Sequence, residues 1–169
     1  MITVFYESAY GSTADYAHAL AERLGVTATP LADAPVLTDS TDPLIVLSYV
    51  HGPMIPAASF VAKQDTGSRP VAVCAVGMTL LEEFREKDQL AGSVPEGAAR
   101  FYLPGRLSYS TMNRKHKMIM WGFVKALKAK READRSANDR AIIDAYDRDI
   151  DRVDLSELDQ VVAWVKAQR

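Results

Sequence analysis

Ser8, Tyr10, Ser12 and Thr13 set four hydroxyls around Gly11 in the stretch SAYGST, directly after the apolar run ITVFY and before a helical pattern of alanine and leucine. A helix that begins there presents unpaired backbone N–H groups and the positive end of its dipole, so the stretch suits an anion such as a phosphate. Serine and threonine also cap helices for purely structural reasons, and from the loop alone both readings stand. No lysine stands in Walker position and no G-x-G-x-x-G spacing is present, which argues against nucleoside triphosphates and ordinary dinucleotides.

Two further loops follow apolar runs. The loop SYVHGPM holds Ser48, Tyr49, Val50, His51 and Gly52, where the two rings can stack on a planar ligand and the glycine allows either sign of φ. In VGMT, Gly77, Met78 and Thr79 follow the run RPVAVCAVG, and Gly77 can admit a close backbone approach. Each also reads as plain punctuation before a helix. His18, His51 and His116 are not spaced as a metal-ligand set, and no nucleophile with an adjacent base is visible. His18 and His116 read as surface or core residues. Cys74, the only cysteine, lies inside PVAVCAV and reads as a buried, inert thiol.

These loops need strands and helices to hold them. ITVFY, PLIVLSYV and RPVAVCAVG read as buried strands, ARFYLPG as another and VTATPL as a weaker one. Helices are expected over Thr13 to Leu24 with Gly25 as C-cap, over IPAASFVAKQ, over LLEEFREKDQL and over Thr111 to Arg131. The last helix is expected from DLSE, with Asp154 as cap, Glu157 reaching back, and Leu155, Leu158, Val161, Val162 and Val165 on one face. Strands alternating with helices require parallel crossovers, hence an α/β doubly wound three-layer sandwich, here one domain over residues 1–169. In such a sheet ligands bind beyond the carboxyl ends of the strands, where these loops lie. The composition agrees: 169 residues, 48% hydrophobic, 25% charged, formal net charge −2. No apolar run approaches the length of a membrane span and no leader pattern precedes the first strand, so the cytoplasm is the expected compartment.

VFYESAYGSTADYAHALAERL resembles the opening of flavodoxin-like proteins, whose first loop runs Ser-x-Thr-Gly-x-Thr around the phosphate of FMN. The resemblance implies a five-stranded parallel sheet of order 2-1-3-4-5 and FMN as cofactor. It places Ser8, Ala9, Tyr10, Gly11, Ser12 and Thr13 at the phosphate. Tyr10 stands where the family has a small hydroxyl residue, and Glu7 sets a carboxylate beside the loop. The flavin ring would then lie over the third and fourth strands, near Ser48, Tyr49, Val50, His51 and Gly52 and near Gly77, Met78 and Thr79, with the Gly52 carbonyl able to turn toward N5. FYLPGRLSYSTMNRKHKMIMWGFVKAL, a polar connection and VDLSELDQVVAWV resemble the second half of the flavodoxin-like protoporphyrinogen IX dehydrogenases. That resemblance implies a reduced tetrapyrrole as donor and a menaquinone-type acceptor, and it assigns no catalytic residue. A one-electron carrier and an interaction module that has lost FMN are the alternatives.

Charge is unevenly spread. From Gly97 to Arg131 there are nine basic residues and no acidic one, and the stretch from Glu132 to Asp159 is rich in aspartate. On a helical wheel Met112, His116, Ile119, Met120, Phe123 and Leu127 share an arc expected to pack on the sheet, and Arg114, Lys117, Lys125 and Lys128 surround Trp121 on the other side. An outward tryptophan among cations suits an anionic membrane or an acidic partner. Cover by the following acidic segment is the equal alternative. No nucleic-acid motif accompanies the patch.

Overall fold

The computed structural model describes residues 1–38 and 40–168. Strand β1 (Thr3–Glu7) leads into helix α1 (Ser12–Leu24), followed by β2 (Ala28–Pro30), β3 (Leu44–Tyr49), α2 (Pro56–Lys63), β4 (Val71–Gly77), α3 (Leu81–Glu86) and β5 (Ala99–Pro104). The strands form one parallel sheet of order β2-β1-β3-β4-β5, as expected.

Side chains alternate across the sheet because the strand period is two. Val4, Ile45, Leu47, Ala72 and Cys74 meet Tyr16, Ala17 and Leu20 of α1 on one face. Phe5, Leu44, Val46 and Val73 meet Ala57, Ala58 and Val61 of α2 on the other. Burial on both faces explains the unbroken apolar runs of β3 and β4. The Cys74 thiol is fully buried, and burial pushes its pKa up, which leaves it unreactive. Gly25 closes α1 in the left-handed region, at φ 67°, where a side chain would be strained.

Beyond β5 the chain leaves the sheet. Gly105 donates from its N–H to the Gly77 carbonyl at 2.7 Å. A Cβ on Gly105 would stand 3.1 Å from that oxygen, so glycine makes this turn without pressing on the Gly77 carbonyl. Strand β6 (Arg106–Ser108) then pairs antiparallel with β7 (Asp149–Asp151), and between them lie α4 (Arg114–Ala129) and α5 (Ala137–Ala145). Helix α6 (Leu158–Ala167) returns to bury Leu158, Val161 and Val165 in the α1 layer.

Several expectations are corrected by this second half. Helix α4 is shorter than Thr111 to Arg131, and its principal neighbour is α5 rather than the sheet. Only Val124 and Leu127 are buried on it, whereas Ile119 and Phe123, expected inside, are 61% and 49% exposed. A helical wheel ranks faces by apolarity, and this helix is apolar on more faces than it has neighbours to cover. The charged stretch after Leu80 is helical only to Glu86, since the Asp88 carboxylate accepts from the Leu90 N–H and turns the chain. The polar connection contains a further helix, α5, capped reciprocally by Ser136 and Asp139. At the final helix Asp154 accepts from the Ser156 N–H within a single 3-10 turn, Glu157 pairs with Arg85 instead of reaching back, and Leu155 is 41% exposed.

Candidate functional site

The loop from Ser8 to Gly11 joins β1 to α1 at the carboxyl edge of the sheet. Gly11 is the N-cap at φ 94°, and no side chain caps α1, so the first N–H groups of the helix are left to a ligand or to water. The Gly11 N–H itself donates to Ser8 Oγ at 3.1 Å, which curls the loop. Ser12 and Thr13 lie buried in the first turn.

Arg106, which the sequence did not single out, reaches this loop from β6. Its Nε donates to Asp151 at 2.9 Å and its Nη2 to Asp15, in the first turn of α1, at 3.1 Å. Its Nη1 has no protein acceptor among the described residues and stands 3.5 Å from where a Cβ on Gly11 would be. The two carboxylates, Asp151 first, hold the guanidinium firmly in its charged form. The donor set therefore fits a phosphate: a glycine-shaped cradle, a helix N-terminus, hydroxyls and a guanidinium nitrogen whose N–H donors have no protein acceptor among the described residues.

The two residues that break the family pattern are both turned away from the cradle. Glu7 Oε1 accepts from the Tyr49 hydroxyl at 3.3 Å, so its carboxylate leans toward β3. The Tyr10 hydroxyl shares a hydrogen bond with Nδ1 of His116, near the start of α4. Around this link the rings of Tyr10, Tyr49, His51 and His116 gather, with Tyr49 and His51 at 4.5 Å and His51 and His116 at 5.4 Å between centroids. Burial, and then the charge of His116, lowers the pKa of His51. Burial, and then Glu7, raises that of Tyr49. His116, expected as a core or surface residue, thus contacts two residues of the candidate loops, and Asn113 Oδ1 accepts from its backbone N–H at the start of α4.

The remaining candidates divide by orientation. Ser48 is fully buried and faces inward, accepting from the Ala57 N–H at 2.9 Å to cap α2. Val50 continues the pairing to β4, donating to the Val76 carbonyl, and packs against the α2 layer. Gly52, at φ 58°, turns a tight loop closed by mutual hydrogen bonds between His51 and Met54, with nothing near its open side. Gly77 is approached closely, but by protein: a Cβ there would lie 2.7 Å from the Tyr102 hydroxyl. That hydroxyl accepts from the Thr79 N–H, and Arg152 donates to the Met78 carbonyl, so the third loop is held rigidly. A groove of about 670 Å³ opens beside Glu7 and Ser8, walled by Leu31, Phe60 and Lys63. Among the described residues no group of three or more potential ligands is arranged to hold a metal.

A flavodoxin-domain family model matches residues 3–134, from the start of β1 to the turn after α4. The chain belongs to the flavodoxin domain family. The matched part of this flavodoxin domain contains the first loop, Arg106 and His116, and it leaves α5, β7 and α6 outside. Comparison with curated proteins and with solved structures returns no match.

Proposed function

We propose that this flavodoxin-domain protein binds FMN and acts as an oxidoreductase, taking electrons from a reduced tetrapyrrole-type donor and passing them to a quinone-type acceptor, as a protoporphyrinogen IX dehydrogenase does. The observation that carries the cofactor reading is the uncapped start of α1, with Gly11 at φ 94° and the free Nη1 of Arg106 against it. FMN, when bound, supplies reversible acceptance of electrons, and the protein supplies position and electrostatics. In this reading Ser8, Ser12, Thr13 and the loop N–H groups bind the phosphate, and Arg106 offsets its charge. Tyr49 and His51 offer rings for stacking, and Gly52 leaves the backbone there free to reorient. The imidazoles of His51 and His116 and the hydroxyls of Tyr49 and Tyr10 cluster beside that position and can carry protons.

Two features support a dehydrogenase above a one-electron carrier with a small protein partner. The helix beside the site is basic and apolar, and the resemblance of the second half extends over β6, α4 and α6. The test is made on one preparation. Purified protein should take up FMN with a dissociation constant in the micromolar range or below, roughly 8 to 12 kcal/mol, and anaerobic protoporphyrinogen should then bleach the bound flavin. Replacing Ser12 and Thr13 together by Ala should weaken FMN far more than riboflavin. Absence of FMN uptake would leave an interaction module. Uptake without bleaching would leave a carrier.

A further inference from the structure

Of the eight large hydrophobic side chains that are exposed among the described residues, four crowd into α4: Met118 (69%), Ile119 (61%), Trp121 (52%) and Phe123 (49%). Scattered single residues of this kind need no explanation, whereas here Met118 beside Trp121 and Ile119 beside Phe123 leave two flanks of one helix apolar and exposed. The same helix carries Arg114, Lys115, Lys117, Lys125 and Lys128 and no acidic residue. None of these five cations is in an ion pair among the described residues. Among the described residues the acidic segment that follows forms ion pairs only with Lys130 and Arg131, past the end of the helix, and it leaves Trp121 half exposed. Lys125 Nζ lies over the Trp121 ring, 4.9 Å from its centroid.

We propose that the exposed arc of α4 docks on an anionic lipid surface, with Met118, Ile119, Trp121 and Phe123 entering the headgroup boundary and Arg114, Lys115, Lys125 and Lys128 meeting lipid phosphates. The charge decides between occupants. A second copy would meet this face isologously and oppose five unpaired cations with five more, an arrangement that like-charge repulsion disfavours. A bilayer of anionic lipid supplies both a negative surface and an apolar layer behind it, and each cation near such a surface strengthens binding about fivefold. Helix α4 starts beside the candidate site through His116 and Tyr10, so docking holds that edge of the sheet near the lipid. Docking through α4 requires no bound FMN, since the helix alone supplies the cations and the apolar side chains.

Co-sedimentation of the full chain with vesicles tests it. The protein should pellet with phosphatidylcholine vesicles containing phosphatidylglycerol at least tenfold more strongly than with phosphatidylcholine alone, and salt should weaken the difference. Ile119→Ser with Phe123→Ser changes two exposed side chains and should cut binding at least tenfold with an unchanged thermal midpoint. Lys115→Gln with Lys125→Gln should lower affinity for the anionic vesicles only and flatten the salt dependence. In a Trp164→Phe background Trp121 is the only tryptophan, and its emission should shift to the blue on vesicles. Absence of vesicle binding by the parent chain, equal binding by both double variants, or a dimer that the serine variant converts to monomer would overturn the proposal.

Discussion

Nη1 of Arg106 stands 3.5 Å from the point at which a side chain on Gly11 would begin, while the other two guanidinium nitrogens are tied to Asp151 and Asp15. The guanidinium is thus aimed rather than merely nearby, and among the described residues it is the only cation paired with these two carboxylates. Arg106→Gln removes a charge-assisted contact and leaves Asp15 and Asp151 facing the phosphate. FMN affinity should fall by about 1.5 to 3 kcal/mol, and riboflavin affinity should change little. Titration of both flavins by fluorescence quenching checks this; equal losses for the two would remove Arg106 from the phosphate site.

Gly11 at φ 94° and Gly25 at φ 67° stand at opposite ends of α1, and both occupy backbone conformations that strain any other residue. Alanine at either has space, since the nearest atom is 3.5 Å away at Gly11 and none lies within 4 Å at Gly25. Each substitution should therefore cost about 1 to 3 kcal/mol through the backbone alone, lowering the melting temperature by ~2 to 4 °C per kcal/mol in a domain of this size. Only Gly11→Ala should also weaken FMN. Calorimetry with parallel titration separates the two, and a Gly11→Ala protein that melts lower yet binds FMN normally would place the phosphate elsewhere.

Gly77 and Tyr102 are coupled in a different manner. A Cβ on Gly77 would stand 2.7 Å from the Tyr102 hydroxyl, whose pKa burial pushes up to about 12 and whose oxygen accepts from the Thr79 N–H. Gly77→Ala overpacks this point and should cost about 1 to 3 kcal/mol. Tyr102→Phe leaves the Thr79 N–H unpaired and should cost a similar amount. In the double variant the clash with the hydroxyl is gone, so the losses should fall short of additivity by at least ~0.5 kcal/mol in denaturant unfolding. Strict additivity would mean that the two positions do not press on each other.

What was legible in the sequence follows from what leaves a periodic trace. Leu44 to Leu47 and Val71 to Val76 are apolar in succession because both faces of β3 and β4 are covered, and Gly25 marks a helix end that only glycine fits without strain. The first loop was legible for the same reason, since hydroxyls around a glycine between a strand and a helix form a local pattern. Arg106 left no such trace: its partners Asp15 and Asp151 are 91 and 45 residues away, and one arginine in a basic stretch looks like any other. His116 was read from its own helix, yet its partner Tyr10 is 106 residues distant and is brought near only because β6 carries the chain off the sheet. On α4 the wheel places Trp121 outward, where it is 52% exposed, and places Ile119 and Phe123 inward, where they are not, because a wheel shows apolarity and not the number of neighbours.

His51 supplies the dependence on pH. Its imidazole faces Tyr49, Tyr10 and His116, and burial together with the charge of His116 depresses its folded pKa, while in the unfolded chain the value is ordinary, about 6.5. Above that value both states leave His51 neutral and it contributes nothing to the balance. As pH falls through it, the unfolded chain takes up a proton that the folded protein refuses, so stability drops until the depressed folded value is passed. His51→Gln removes this proton uptake, and the acid-sensitive carboxylates such as Asp88, Asp139 and Asp151 remain in both proteins. Between about pH 7.5 and about pH 5.5 the melting temperature of the parent should therefore fall more steeply than that of the variant. Parallel curves would mean that His51 titrates as an ordinary surface histidine, and a steeper fall in the variant would reverse the sign of its interaction with His116.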